Sequence, residues 1–151
     1  MKENAPGLLR RALSRAPVDL IMTGDCQPAE RKFQVSRRML EVCLELGSPV
    51  SVLSRSPLVL RDLDLLQEIN ARAASVVFFS VIYTPDSAHR DRLRQMENLA
   101  PPPEKRFAAR EQIAHASTLT ATCMMPILLG AIGIVFEADG IPSASSRQTR
   151  T

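Results

Sequence analysis

Three apolar runs of this sequence end in short polar clusters, and those clusters hold most of the side chains that could do chemistry. The run Val18 to Thr23 leads into Gly24, Asp25 and Cys26. Val50 to Leu53 leads into Ser54 and Arg55, and Ser75 to Val81 carries Ser80 near its end. If the runs are parallel β-strands, these side chains share the carboxyl edge of one sheet, where α/β proteins bind ligands. Asp25 also suits a turn cap, and an arginine on a loop is often a surface residue. Glu30 and Arg31 could orient that edge through an ion pair, or both be solvated.

Other constellations are lacking. Cys26, Cys43 and Cys123 are too widely spaced to share a zinc ion or an iron–sulfur cluster. Cys43 falls on the apolar stripe of a predicted helix and Cys123 within a predicted strand, so both read as core thiols. His89 and His115 have no partner at ligand or catalytic spacing. No glycine-rich phosphate loop and no Ser-His-Asp set occurs. No metal site is therefore assigned.

The elements that must position the rim follow from periodicity. Pro6 suits a first helical turn, and Leu8, Leu9, Ala12 and Leu13 form one stripe up to about Arg15. Ser36 is the expected N-cap of a helix Arg37 to Leu46, closed by Gly47. A helix starting near Asp62 carries Leu63, Leu66, Ile69 and Ala73, with Arg61, Asp62 and Asp64 expected to cap and solubilise its start. The continuous apolar run Ser75 to Val81 predicts a parallel strand buried on both faces. Pro85-Asp86 opens a short charged helix, and Pro103 begins another that ends near Ser117. Glu97 and Arg106 are spaced to pair across the proline-rich loop between them, chiefly as a structural contact. Thr118 to Met125 predicts a fourth strand. Residues 1–137 are thus expected to form one α/β domain, and 138–151, rich in Ser, Arg and Thr, a disordered tail.

Composition bounds the function classes. The 151 residues are 45% hydrophobic, enough for one domain with a real core. The net charge of +3 is too small and too scattered to argue nucleic-acid binding. Three separated cysteines argue for a reducing compartment, and no signal peptide or membrane span is legible. A cytoplasmic location is expected, with no membrane partner.

Two longer segments resemble a known family. Thr23 to Lys32 is similar to a T-D-x-Y-Q-P-x-E element, and Val52 to Leu66 to V-T-K-S-x-L-V-x-R-D-L-D-L-L. Glu97 with Pro101 to Arg106 resembles E-P-x-A-P-P-x-x-R, and Met125 to Gly130 resembles A-P-I-I-P-G. In this order they resemble the radical S-adenosylmethionine proteins related to spore photoproduct lyase, also called DNA repair photolyases. The resemblance implies a partial TIM-like barrel of about four parallel strands, a 4Fe–4S cluster and S-adenosylmethionine. It also implies a lyase-type radical reaction and a DNA substrate. Thr23, Gly24, Asp25, Ser54, Arg55 and Ser80 then become cofactor contacts, and Cys26 a hydrogen donor.

The sequence departs from the family pattern in instructive places. No C-x-x-x-C-x-x-C cluster motif occurs in the 151 residues, Gly24 is an insertion, and Arg55 stands where the family has Lys. The expectation is a truncated member, inactive alone and without its own cofactor, whose open sheet edges invite self-association. Two further readings use the same residues. One is a non-catalytic small α/β module that binds a nucleotide or a partner; the other is a degenerate reading frame without function.

Overall fold

A computed structural model describes residues 4–16, 18–23, 28–87 and 90–125. Four strands, β1 (Ile21–Thr23), β2 (Val50–Ser54), β3 (Ser75–Val81) and β4 (Leu119–Met124), form one parallel sheet. Their order is sequential, β1-β2-β3-β4, so each strand pairs with its neighbour in the chain. The register aligns Thr23 with Val52, Val52 with Val77, and Val77 with Thr120.

Helices α1 (Ala5–Leu13), α2 (Glu30–Phe33), α3 (Val35–Glu45), α4 (Leu63–Arg72), α5 (Arg90–Met96) and α6 (Pro103–His115) fill the connections. Their apolar stripes meet one face of the sheet. Leu40 and Cys43 of α3, Leu66 and Ile69 of α4, and Ala109 and Ile113 of α6 share a core with Ile21, Val50, Val52, Val77 and Phe79. Leu9 and Leu13 of α1 lie against that core, and Arg10 pairs with Glu45 at the end of α3. A smaller cluster of Ile82, Tyr83 and Leu93 seats α5 beyond the end of β3.

The opposite face is half open. Along β3 the side chains of Ser75, Val77, Phe79 and Val81 are buried, whereas Val76, Phe78 and Ser80 are only partly so. Met22 on the edge strand β1 is 70% exposed. The expectation of burial on both faces is corrected: α3, α4 and α6 share one core on a single face of the sheet, and the other row of β3 stays partly exposed. The run is apolar on both faces, and period two sorts it into a covered and an open row.

Gly47 ends α3 as expected, at φ +62°, with Ser48 N–H donating to Cys43 O at 2.9 Å. The start of that helix differs from expectation. α3 begins at Val35, and Gln34 in the left-handed region separates it from α2, so Ser36 is not the cap. The Glu30 carboxylate accepts from Ser36 N–H at 2.9 Å instead, acting from the preceding turn. Nor is Asp62 a solvated residue, because a 3-10 turn over Pro57–Asp62 carries it into the interior, 1% exposed. Arg61 holds it at 2.7 Å, and also donates to Glu30 O at 2.7 Å. Arg37 of α3 completes the group, 3.3 Å from Asp62 and 2.7 Å from Asp64. This network binds the β1–α2 and β2–α4 connections together. No helix among the described residues is long and apolar enough to cross a membrane.

The α6 side is fixed by a fully buried guanidinium. Arg106 donates to Pro101 O at 2.8 Å, to Ser80 O at 2.7 Å and to the Glu97 carboxylate at 2.8 Å. The expected Glu97–Arg106 pair is therefore present and structural.

Two stability outcomes follow from these networks. Arg106→Met should destabilise the chain by about 3–5 kcal/mol, because Glu97 becomes an uncompensated buried charge. Adding Glu97→Gln should restore part of that loss, with Pro101 O and Ser80 O still lacking their donor; urea denaturation of both variants measures it. The second outcome concerns acid. The hydrogen bond from Arg37 holds the Asp64 carboxyl down at about 2, below the ordinary 3.8. A depressed folded pKa adds stability above the unfolded value, and that stability is lost as pH falls from about 4 to about 2. Asp64 is 55% exposed, so solvent screening limits the contribution to under about 1 kcal/mol. Asp64→Asn should remove that increment at pH 7 and leave pH 2 stability unchanged, as paired denaturation curves would report.

Candidate functional site

The carboxyl ends of β1, β2 and β3 open onto a cavity of about 370 Å³. Three connections line it. Pro28 and Arg31 follow β1, Arg55, Ser56 and Leu58 follow β2, and Met96 at the end of α5 is followed by Glu97 to Pro101. Its position agrees with the rim expected from the polar clusters. A volume in this range suits a small ligand.

Local hydrogen bonding explains why the walls hold their shape. Ser54 ends β2, and its hydroxyl accepts from Ser56 N–H at 3.0 Å while lying 3.2 Å from Ser56 O. Ser56 in turn accepts from Leu58 N–H at 3.2 Å, which starts the 3-10 turn. On the opposite wall, Arg94 donates to Glu97 O at 3.2 Å and to Ala100 O at 2.7 Å. Together with Arg106 on Pro101 O, it fixes a segment that forms no helix or strand of its own.

Among the described residues, the guanidinium groups of Arg31 and Arg55 line the cavity. Arg55 is half exposed, with Nη1 3.8 Å from Glu97 Oε1. Arg31 is exposed and makes no ion pair among the described residues. Apolar surface lies beside them: Met96 is 62% exposed and Leu99 95% exposed. The site can thus hold a ligand with an apolar body and an acceptor-rich end.

The expected site residues are distributed unevenly. Arg55 lines the cavity. Thr23 and Ser54 lie at strand ends but on the helix-covered face, and both are buried. The Ser54 hydroxyl is engaged by its own turn. Ser80 belongs to the open face, and its hydroxyl donates to Met125 O at 3.4 Å. Gly24, Asp25 and Cys26 lie outside the described residues, as do His89 and the tail 138–151.

Sequence reasoning did not find the wall Met96 to Leu99. Its only signal was a pair of apolar side chains flanking Glu97 just before a proline-rich stretch, a pattern that also fits a helix end.

A 4Fe–4S cluster finds no fit among the described residues. No group of three His, Cys, Asp or Glu could hold a metal ion there. Cys43 is buried on the inner side of α3, and burial pushes its thiol up to about 11, away from the thiolate a cluster needs. Cys123 is a partly exposed free thiol on β4, aligned with Ser80 on the open face.

Comparison with known proteins gives one distant likeness. The chain is similar to an uncharacterized protein of Methanocaldococcus jannaschii, 23% identical over 137 residues. The match covers 90% of this chain and 50% of the relative, so the chain spans about half the length of that protein. No family model matches, and no solved structure matches.

Proposed function

We propose that the chain forms the ligand-binding arc of a barrel protein of the radical S-adenosylmethionine type, and that it does not carry out radical chemistry on its own. The observation that carries this reading is topological. Sequential parallel strands with all core helices on one face are the arrangement of a βα-barrel arc. A doubly wound sheet instead reverses its strand order and covers both faces. A barrel arc puts its binding rim at the carboxyl edge, where the cavity lies. Pro28, Arg31, Arg55, Ser56 and Leu58, which line the cavity, fall within the two segments that resemble the family, and this supports the reading.

The residues sort unequally under this proposal. Arg55 lines the cavity and is assigned to a cofactor carboxylate, and Ser80 to a group over the open face. Ser54 supports the turn rather than the ligand. An S-adenosylmethionine cofactor would be the radical source when bound to a reduced cluster, but the described residues offer that cluster no ligands, so no step is assigned to this chain. Cys26 as hydrogen donor, and DNA as substrate, rest on the resemblance alone.

A second reading has its own support. The cavity joins an apolar wall with two arginines and needs no cluster, which suits a non-catalytic ligand-binding module.

Anaerobic incubation with iron and sulfide should yield no cluster that survives gel filtration. A stoichiometric iron–sulfur spectrum from this chain would overturn the view that its ligands lie elsewhere. Calorimetry should find S-adenosylmethionine binding only weakly, with a dissociation constant on the order of 1 mM, and Arg55→Ala should weaken it further. Undetectable binding at saturating cofactor would shift the assignment to the module reading. Codons upstream of Met1 offer an independent check, since a C-x-x-x-C-x-x-C run there would favour the barrel protein.

Open edges carry one more expectation. Met22 of the edge strand β1 and Leu20 just before it are 70% and 50% exposed. Light scattering should show association that rises with concentration, and Met22→Lys should reduce it.

A further inference from the structure

The open face of the sheet has a composition that a second copy of the same chain can meet. Met22 of β1, Ser51 of β2, Val76 of β3 and Leu119 of β4 stand at one register level across all four strands. The two ends of that row are its most accessible members, Met22 at 70% and Leu119 at 63%, whereas Ser51 between them is 2% exposed. Leu53, Phe78 and Ala121 form the next row, each partly buried. None of these side chains carries a charge, although 23% of the residues in the chain do.

These observations constrain the occupant. A two-fold assembly repeats every pairing, so charges of one sign on the face would meet their own kind, and these rows carry none. Among the described residues β1 pairs only with β2 and β4 only with β3, and the exposed apolar side chains stand on those two lateral strands. Four sequential parallel strands make half of an eight-strand barrel, whose interior is filled by branched and apolar side chains from all its strands. β1 is three residues long, so strand pairing alone buries far less than the roughly 1,000 Å² of a stable interface. The inward rows have to supply the rest.

We propose that two copies of this chain close on each other around their open faces, with β1 of each protomer beside β4 of its partner. Met22 of one protomer then packs on Leu119 of the other, twice per dimer. The inference rests on the reading of the sheet as a barrel arc and names the partner that completes it. Closure buries the row of Leu53, Phe78 and Ala121 and sets both carboxyl edges around one mouth. The cavity of each protomer opens onto a rim shared with the other, so ligand binding becomes a property of the dimer.

Sedimentation velocity of the full chain tests the assembly. The mass should rise with concentration and level off at twice the 16.6 kDa of one chain. Met22→Lys should weaken the dimer about a hundredfold, because each dimer holds two such junctions at about tenfold apiece. Met22 and Leu119 are exposed, so their replacement leaves the core intact. Cross-linking tests the geometry. In a Cys26→Ser, Cys123→Ser background, oxidation of the double variant Met22→Cys, Leu119→Cys should give covalent dimers and nothing larger. Within one sheet these positions lie three strand spacings apart, about 14 Å, beyond the roughly 7 Å that a disulfide bridges. Any bond between them therefore joins two chains. Monomers at every concentration, a ladder beyond the dimer, or dimers without the bond between positions 22 and 119 would overturn the proposal. The barrel-arc reading is separable, because a strictly monomeric chain that binds S-adenosylmethionine would keep that reading and sink this one.

Discussion

Arg106 is the interaction on which the rim depends. Its guanidinium is wholly buried and reaches three places at once: the end of β3 through Ser80 O, the proline-rich loop through Pro101 O, and the loop before it through Glu97. A buried charge is tolerated only when paired and fully hydrogen-bonded, so these partners cannot drift apart independently. The irregular segment Glu97 to Pro101 makes few regular backbone bonds, yet it forms a whole wall of the cavity. Without the guanidinium its side-chain contacts would include Arg94 of the adjoining α5 and Arg55, 3.8 Å from Glu97.

A matching constraint operates across the cavity. Asp62 and Glu30, both nearly inaccessible, are served by Arg61, and Arg37 reaches in from α3. The connections after β1 and β2 are thereby linked by charge, as those after β3 are linked by Arg106. Each network lies just outside the apolar core, where Val52, Val77 and Phe79 meet α3, α4 and α6. The site is therefore preorganised by ion pairs and supported by packing.

The strand order connects this arrangement to function. A one-sided α/β sheet leaves a half-open row, Val76, Phe78 and Ser80, opposite its helices. Such a row is the inner lining of a barrel when the sheet continues, and an exposed apolar surface when it does not. That physical asymmetry separates an arc of a barrel from a self-sufficient two-faced sheet.

Much of the fold was legible in the residues. Apolar runs of strand length alternating with amphipathic stripes specified four parallel strands, and Gly47 marked a helix end because its left-handed φ suits a residue without a Cβ. The rim at the strand ends also followed from sequence, since chain direction in a βα unit decides which end carries the loops. Tertiary structure alone decided which polar residues are buried. Asp62 and Glu30 look like surface acids until a 3-10 turn and a short helix bring them to Arg61, a partner remote from Glu30 in the chain. Ser54 looked like a ligand contact, but period two turned it to the covered face and its own turn took up the hydroxyl. Arg31 and the wall Met96 to Leu99 gave no periodic signal, because a cavity is a meeting of loops whose separation in space depends on how the sheet orders its strands.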